Sequence, residues 1–325
     1  MTVTTPPLVD MDFFEENGYL VIENVYSDTE IANVVDEYME LLDRLAEGWV
    51  AEGQLQSTYA ELPFPQRLAR ILSETGGNFQ PFDISLPSRG VTAETPVHNG
   101  PAVFELLTSP RLLDIVEHFV GQEVLSNPIQ HVRIKPPEHL LPADIDNSMM
   151  KSSAWHQDQG VALPEVDNTE MLTVWIAVTD ATLENSCLWV VPSSHRGDLI
   201  THCPGNAARS TLAIPESLVP DTAIPLPVAA GSIIVLHRRT MHSALANTSD
   251  GVRWSFDCRF QPVGQPTGRA EYPAFVARSA SDPDSVLTDW QEWKRLWEQA
   301  RADVAASPNE NRVFNRWDGS HEVCA

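Results

Sequence analysis

Two histidines, one aspartate and one arginine, drawn from segments far apart in the chain, set the strictest condition on any fold this sequence adopts. His156-Gln157-Asp158 supplies the first pair, His242 follows 84 residues after Asp158, and Arg253 stands 11 residues beyond His242. Side chains two apart on a strand point to one face while the residue between points away. His156 and Asp158 are therefore expected on one strand, both reaching one ion, with Gln157 turned from it. The segment before His242, Gly231 to Leu236 (GSIIVL), is an apolar run of strand length, and Val252 to Phe260 (VRWSFDCRF) alternates as the next strand. Were those two strands neighbours, His242 and Arg253 would come together. Two imidazoles and a carboxylate on one face of a metal leave the opposite face open, the ligand set of non-haem Fe(II) oxygenases. The planar fork of an arginine can hold a carboxylate of 2-oxoglutarate in a bidentate pair beside such an iron. A lone His-x-Asp arises by chance in many chains; the ordered set in its strand context carries the reading.

The rest of the chain supplies the frame. Residues 13–25 (FFEENGYLVIENV) hold a Gly-led strand at 19–22. Asp28 is the N-cap candidate for a helix whose stripe is Ile31, Val34, Val35, Tyr38, Leu41, Leu42 and Leu45. Residues 48–100 are punctuated by Gly and Pro, and 101–120 returns to helical spacing. From about 122 the pattern becomes short runs at 129–135, 154–160, 171–180, 187–191, 232–237 and 252–261, which is sandwich or jelly-roll spacing. The stretches 136–153 and 197–230 are too long for simple turns and are expected as lids or substrate-contact loops. Trp290, Trp293 and Trp297 share one face of a C-terminal helix and are expected to pack against the barrel.

Charge narrows the partners. Asp+Glu 45 against Lys+Arg 21 gives a net charge of -24, with lysine only at 135, 151 and 294. Nucleic acid and anionic membranes are poor matches for such a surface, which reads as a solvated, soluble one. Cys187, Cys203, Cys258 and Cys324 have no Cys-x-x-Cys spacing and are expected as reduced thiols. The N-terminus lacks a secretory pattern and no run reaches transmembrane length, so a cytoplasmic enzyme is expected. Nothing in the sequence sets an oligomeric state.

From residue 13 to about 262 the chain resembles the phytanoyl-CoA dioxygenase family of Fe(II)/2-oxoglutarate oxygenases. The likeness lies in Asn17 to Ile22 (NGYLVI), His131 to Pro137 (HVRIKPP), His156 to Gly160 (HQDQG), the strand of Trp175, Leu188 to Gly197 (LWVVPSSHRG), and His242 to Arg253 with Asn247 between. It implies a mainly β molecule with helical additions around a double-stranded β-helix, a jelly roll of cupin type. One oxygenase domain would span 1–325: a helical shoulder at 1–121, a jelly-roll core with the iron site at 122–262, and a helical extension at 263–325. By the same resemblance His156, Asp158 and His242 bind iron(II), Arg253 binds the distal carboxylate of 2-oxoglutarate, and His131 and Trp175 line its pocket. Two positions depart from the family's habit: Ser193 stands where Gly is frequent, and Ala244 where Ser is frequent, leaving Ser243 to supply that hydroxyl.

The implied reaction hydroxylates a C–H bond of a small molecule with O2, while 2-oxoglutarate gives succinate and carbon dioxide. Desaturation, epoxidation and rearrangement use the same cofactors and stay open, as does a non-catalytic metal-binding sensor. Related halogenases carry a small residue in place of the metal carboxylate, and Asp158 argues against that chemistry. Among other residues, His237 reads as structural and His195 as a loop-fixing hydrogen bonder. His98, His118, His139, His202 and His321 need only surface or capping roles. Trp189 reads as core, and Arg133 and Lys135 are expected either to place one of the two toward the pocket or to make exposed salt bridges.

Overall fold

The computed structural model describes residues 9–145, 147–204, 212–307 and 316–324. Its α-helices are α1 (Met11–Asn17), α2 (Asp28–Ala51), α3 (Phe64–Glu74), α4 (Pro101–Leu107), α5 (Pro110–Val120) and α6 (Trp290–Ala306). Its strands are β1 (Tyr19–Ile22), β2 (Glu123–Lys135), β3 (Ser153–His156), β4 (Leu172–Ala177), β5 (Leu188–Val190), β6 (Ile224–Leu226), β7 (Ile233–His237), β8 (His242–Ala244), β9 (Arg253–Pro262) and β10 (Phe275–Ser279).

The strands form two antiparallel sheets, one ordered β1-β7-β4-β9-β2-β10 and the other β3-β8-β5-β6. This is the jelly-roll architecture, mainly β with helices added on one side. The larger sheet is buried on both faces, and the two-residue period of its central strands sorts their side chains. Leu172, Val174 and Ile176 of β4 join Trp254, Phe256, Cys258 and Phe260 of β9 in a core shared with α2 through α5. Trp175 and Ala177 point the other way and meet Leu188, Val190, Ile234 and Leu236 between the sheets. Each large apolar side chain buried in this way contributes about 1.5–3 kcal/mol. Trp293 and Trp297 of α6 are fully buried in the first core and Trp290 packs at its edge, as their shared face suggests.

Several boundaries differ from those read in the sequence. The N-cap of α2 is Ser27, which exchanges hydrogen bonds with Glu30 in a capping box, so Asp28 lies inside the first turn. The helical stretch 101–120 is two helices, because Pro110 cannot donate its backbone nitrogen and instead begins α5. Strand β2 begins at Glu123, six residues before the expected start. Pro128 and a register shift between Asn127 and His131 divide it, and the alternation of buried and half-buried residues is interrupted there, at 126–128. The long stretch 197–230 contains β6 as well as loop.

The thiol expectation is also corrected. Cys203 and Cys324 form a disulfide across 121 residues of sequence, whereas Cys187 and Cys258 are free and buried. A pair so far apart leaves no spacing signal; only the return of the C-terminal tail to the loop after β5 makes it visible. Among the described residues no helix is long and apolar enough to cross a membrane.

Candidate metal centre

The site is assembled where the two sheets face one another. His156 ends β3 and His242 begins β8, and the two are direct register partners with ring centroids 4.2 Å apart. Asp158 does not lie on the strand with His156. Pairing stops at His156 because the backbone N–H of Gln157 donates to Nε2 of His202, at 2.9 Å, and the chain turns as Gly160 N–H bonds to Gln157 O. Asp158 therefore reaches the site from a turn, while Gln157 points away as expected. Its amide donates to Arg239 O and accepts from Ile200 N–H, each at 2.8 Å. One ligand atom from each of His156, Asp158 and His242 lies within 4.8 Å of the others.

The imidazoles are held with their Nε2 lone pairs free. Nδ1 of His156 donates to Ala154 O at 2.8 Å, and Nδ1 of His242 donates to Thr240 O at 3.0 Å. A second hydrogen bond of this kind fixes tautomer and ring orientation in metal-binding histidines. Burial, reinforced by the neighbouring His242, pushes His156 down to about 3. Burial alone would raise the Asp158 carboxyl, but Arg259 and the two imidazoles hold it well below the ordinary carboxylate range. Arg259 pairs with one Asp158 oxygen at 2.7 Å and Thr173 donates to the other. Arg259 also contacts Asp257 at 3.3 Å, and Asp257 accepts from Arg133 at 2.8 Å. A buried chain of alternating charge thus runs Asp158–Arg259–Asp257–Arg133.

Arg253 and His242 do converge, though not on neighbouring strands. Strand β4 separates β7 from β9, and His242 belongs to the opposite sheet, so the two side chains meet across one cavity. Arg253 is fully buried; Nε donates to Ser186 O at 3.1 Å, Nη1 to Ser255 Oγ at 2.5 Å, and its carbon centre sits 5.4 Å from the Trp175 ring. Burial, with Arg133 close by, makes its charged form costly in the absence of an anion. Trp175 and Ser243 line the same cavity. His131 does not: its Nδ1 is held 2.9 Å from Asp83 Oδ2, further along the face of β2 that carries Arg133. Arg133 lines the cavity while Lys135, wholly buried, donates to Ser153 Oγ at 3.3 Å.

The sequence reading passed over Thr173, Asp257 and Arg259, and the surface or capping role it gave His202 is corrected: that ring is wholly buried. A signal for the first three existed: polar residues at alternate places in strands otherwise built of large apolar ones must be buried, and must have partners. His202 left none, because its ring is recruited by a backbone amide from 45 residues away.

Residues 14–255 match the phytanoyl-CoA dioxygenase family over most of the chain. The chain belongs to that family. A probable phytanoyl-CoA dioxygenase of Caenorhabditis elegans is 22% identical over 255 residues, covering 76% of this chain and 73% of the relative. Bovine phytanoyl-CoA dioxygenase domain-containing protein 1 is 31% identical over 106 residues, so the match spans 31% of this chain and 36% of that protein. Among solved structures, the apo form of the non-heme monooxygenase ThoJ shares 18% identity with a TM-score of 0.54, over 91% of this chain and 98% of that one. EvdO2 from Micromonospora carbonacea var. aurantiaca shares 23% identity with a TM-score of 0.50, over 79% and 93%. Likenesses at these identities establish a shared fold.

Membership of the phytanoyl-CoA dioxygenase family brings iron(II), 2-oxoglutarate and O2. The cavity fits them on its own terms. Two imidazole nitrogens and one carboxylate, already tautomer-fixed, form the donor set of a non-haem iron. Three buried donors around the same cavity have no partner among the described residues: Arg253 Nη2, Trp175 Nε1 and Ser243 Oγ. Buried polar groups left unsatisfied are costly, and an acceptor-rich dicarboxylate supplies what these lack.

Proposed function

We propose that the chain is an iron(II)- and 2-oxoglutarate-dependent dioxygenase that hydroxylates a C–H bond of a free small molecule. The observation carrying this reading is the His156–Asp158–His242 cluster facing the unpaired end of Arg253 across one buried cavity. His156, Asp158 and His242 would hold the iron, and Arg253 the distal carboxylate of 2-oxoglutarate. Trp175 and Ser243 would complete the cosubstrate pocket. When bound, iron and the keto acid supply an oxidant from O2 in the turnover that releases succinate and carbon dioxide.

The chain's own contribution is placement. By accepting from Nδ1–H, the carbonyls of Ala154 and Thr240 leave both Nε2 lone pairs free for the ion, and Arg259 with Thr173 keeps Asp158 ionised and in one orientation. Trp175, Leu188 and Leu236 wall the cavity and exclude bulk water, which strengthens each polar contact inside. Replacing His242 with Ala is expected to abolish iron retention and succinate formation while the circular dichroism of the fold persists. Normal turnover by that variant would refute the ligand assignment.

The substrate proposal departs from the family name. A coenzyme A thioester carries several phosphate charges, which call for a basic patch. Net charge here is -24. Three arginines that could otherwise build a phosphate site donate to carbonyls: Arg196 to Glu15, Arg238 to Thr169 and Arg239 to Gly197. Lys151 donates to Pro142 O, and Arg209 lies outside the described residues. Succinate release measured against paired panels of acyl-CoA thioesters and free small molecules tests this, with coupling only to a thioester as the contrary result.

A further inference from the structure

We propose that the C-terminal segment 316–324 is a working part of the metal site, clamping the turn that carries Asp158 through His202 and Trp317. The Cys203–Cys324 bond would make that clamp dependent on thiol oxidation. The inference rests on the iron reading above and goes beyond it. Residues 316–324 lie past the 14–255 span of the family match.

Asp158 stands beyond the end of β3, so ladder hydrogen bonds do not fix it. The turn 157–160 is instead held from outside. Nδ1–H of His202 donates to Ile200 O at 2.8 Å, leaving Nε2 as the acceptor for Gln157 N–H at 2.9 Å. Gly160 lies so close to this ring that a Cβ there would come within 2.1 Å of it, which only glycine permits. The tail grips the same turn. Trp317 lies nearly parallel to the His202 ring, with centroids 5.5 Å apart and planes 19° from one another, and its Nε1–H donates to Gly160 O at 2.7 Å. Arg316 donates to Ala162 O at 2.7 Å and pairs with Asp167 at 2.7 Å.

Both flanks of this grip are tied. Cys203 follows His202 directly and is bonded to Cys324, while Gly319 packs on Pro204. His202 and Trp317 are positioning residues: they touch the turn, not the ion. A dithiol reductant would break the Sγ–Sγ bond. Cys203 and Cys324 would each take up one electron and one proton, and the dithiol would be oxidised to its own disulfide. The tail would then be held by its non-covalent contacts alone, without the 121-residue covalent closure.

The test uses full-length protein and manganese(II) as the probe ion, with free ion read by electron paramagnetic resonance. Oxidised wild type, wild type reduced and desalted anaerobically, Cys324→Ser, Trp317→Ala and Trp317→Phe are compared. Loss of an outer partner of a metal ligand typically weakens affinity about 10-fold or more. That loss is expected for the reduced protein, Cys324→Ser and Trp317→Ala, with part recovered by Trp317→Phe, which keeps a stacked ring. Reductant should change nothing further in Cys324→Ser. Amide exchange should rise at 157–160 while β9 stays protected.

Unchanged manganese affinity and exchange after reduction would overturn the clamp, as would exchange rising equally in β9, which would mean general unfolding. If oxidised wild type bound manganese no better than His242→Ala, the iron reading would fail instead. Exchange at 157–160 would then decide the clamp by itself. The reduction arm needs no substitution, so misfolding of a variant does not remove the test.

Discussion

Arg253 and Arg259 share strand β9 and have opposite needs. Arg259 is saturated by Asp158 and Asp257, and despite burial those carboxylates raise its affinity for the proton; Arg253 has no carboxylate and one unpaired Nη2. Arg253→Ala is therefore expected to raise KM for 2-oxoglutarate far more than KM for the primary substrate, with Arg253→Lys recovering only part, because an ammonium cannot make the bidentate pair. Steady-state kinetics with each substrate varied in turn check this. Arg259→Gln removes one partner of a buried pair and leaves Asp158 facing uncompensated burial, a loss of roughly 3–5 kcal/mol by urea unfolding. His156, Asp158, His242 and Arg253 stood out in the sequence because their order and spacing are restrictive, whereas Trp175 and Ser243 entered only through the family resemblance. His131 was drawn to Asp83 instead, since a histidine on the right strand face takes whichever carboxylate is nearest.

At the scale of elements, the turn after β5 accounts for one departure from the family's habit. Ser193 has φ +61°, the left-handed region where glycine is at ease, yet its N–H donates to Asn17 O and its hydroxyl to Glu16 O. Ser193→Gly should be nearly neutral, relief of backbone strain offsetting the lost hydroxyl bond, whereas Ser193→Ala keeps the strain and loses about 0.5–1 kcal/mol. Thermal and urea unfolding of the two variants should separate them in that order. Three-residue β5 was legible because it sits in an apolar run, but β6 (IPL) and β8 (HSA), equally short, are interrupted by Pro225 or made of polar and small residues and carry too little pattern to register. The end of β3 was misplaced for a related reason: what stops it is a histidine ring 45 residues on, not a local breaker.

For the whole molecule, acid is the vulnerable direction. Burial first, then neighbouring charge, pushes His237 down to about 3, and burial pushes His202 down to about 4, both from an ordinary 6.5. Below 6.5 the unfolded chain takes up protons that the native state refuses, so stability is full above that value and is lost as pH falls toward the folded pKa values. Each group contributes a slope of about 1.4 kcal/mol per pH unit once well inside the window. Urea unfolding of metal-free protein at pH 6.5, 5.5 and 4.5 should show this decline, and His237→Gln should shed one group's share of it. The fold class was legible at this scale; the tail's return was not, because a disulfide joining residues 203 and 324 records a meeting that only the finished topology arranges. Strand β9 is a party wall, with Arg253, Ser255, Asp257 and Arg259 on the cavity side and Trp254, Phe256, Cys258 and Phe260 on the helix side. Gain or loss of a single residue within it would exchange the two sides for every residue beyond the change, turning large apolar side chains into the cavity and polar groups into hydrocarbon. New specificities on this scaffold must therefore come from loops of free length, with β9 variable in composition but not in count.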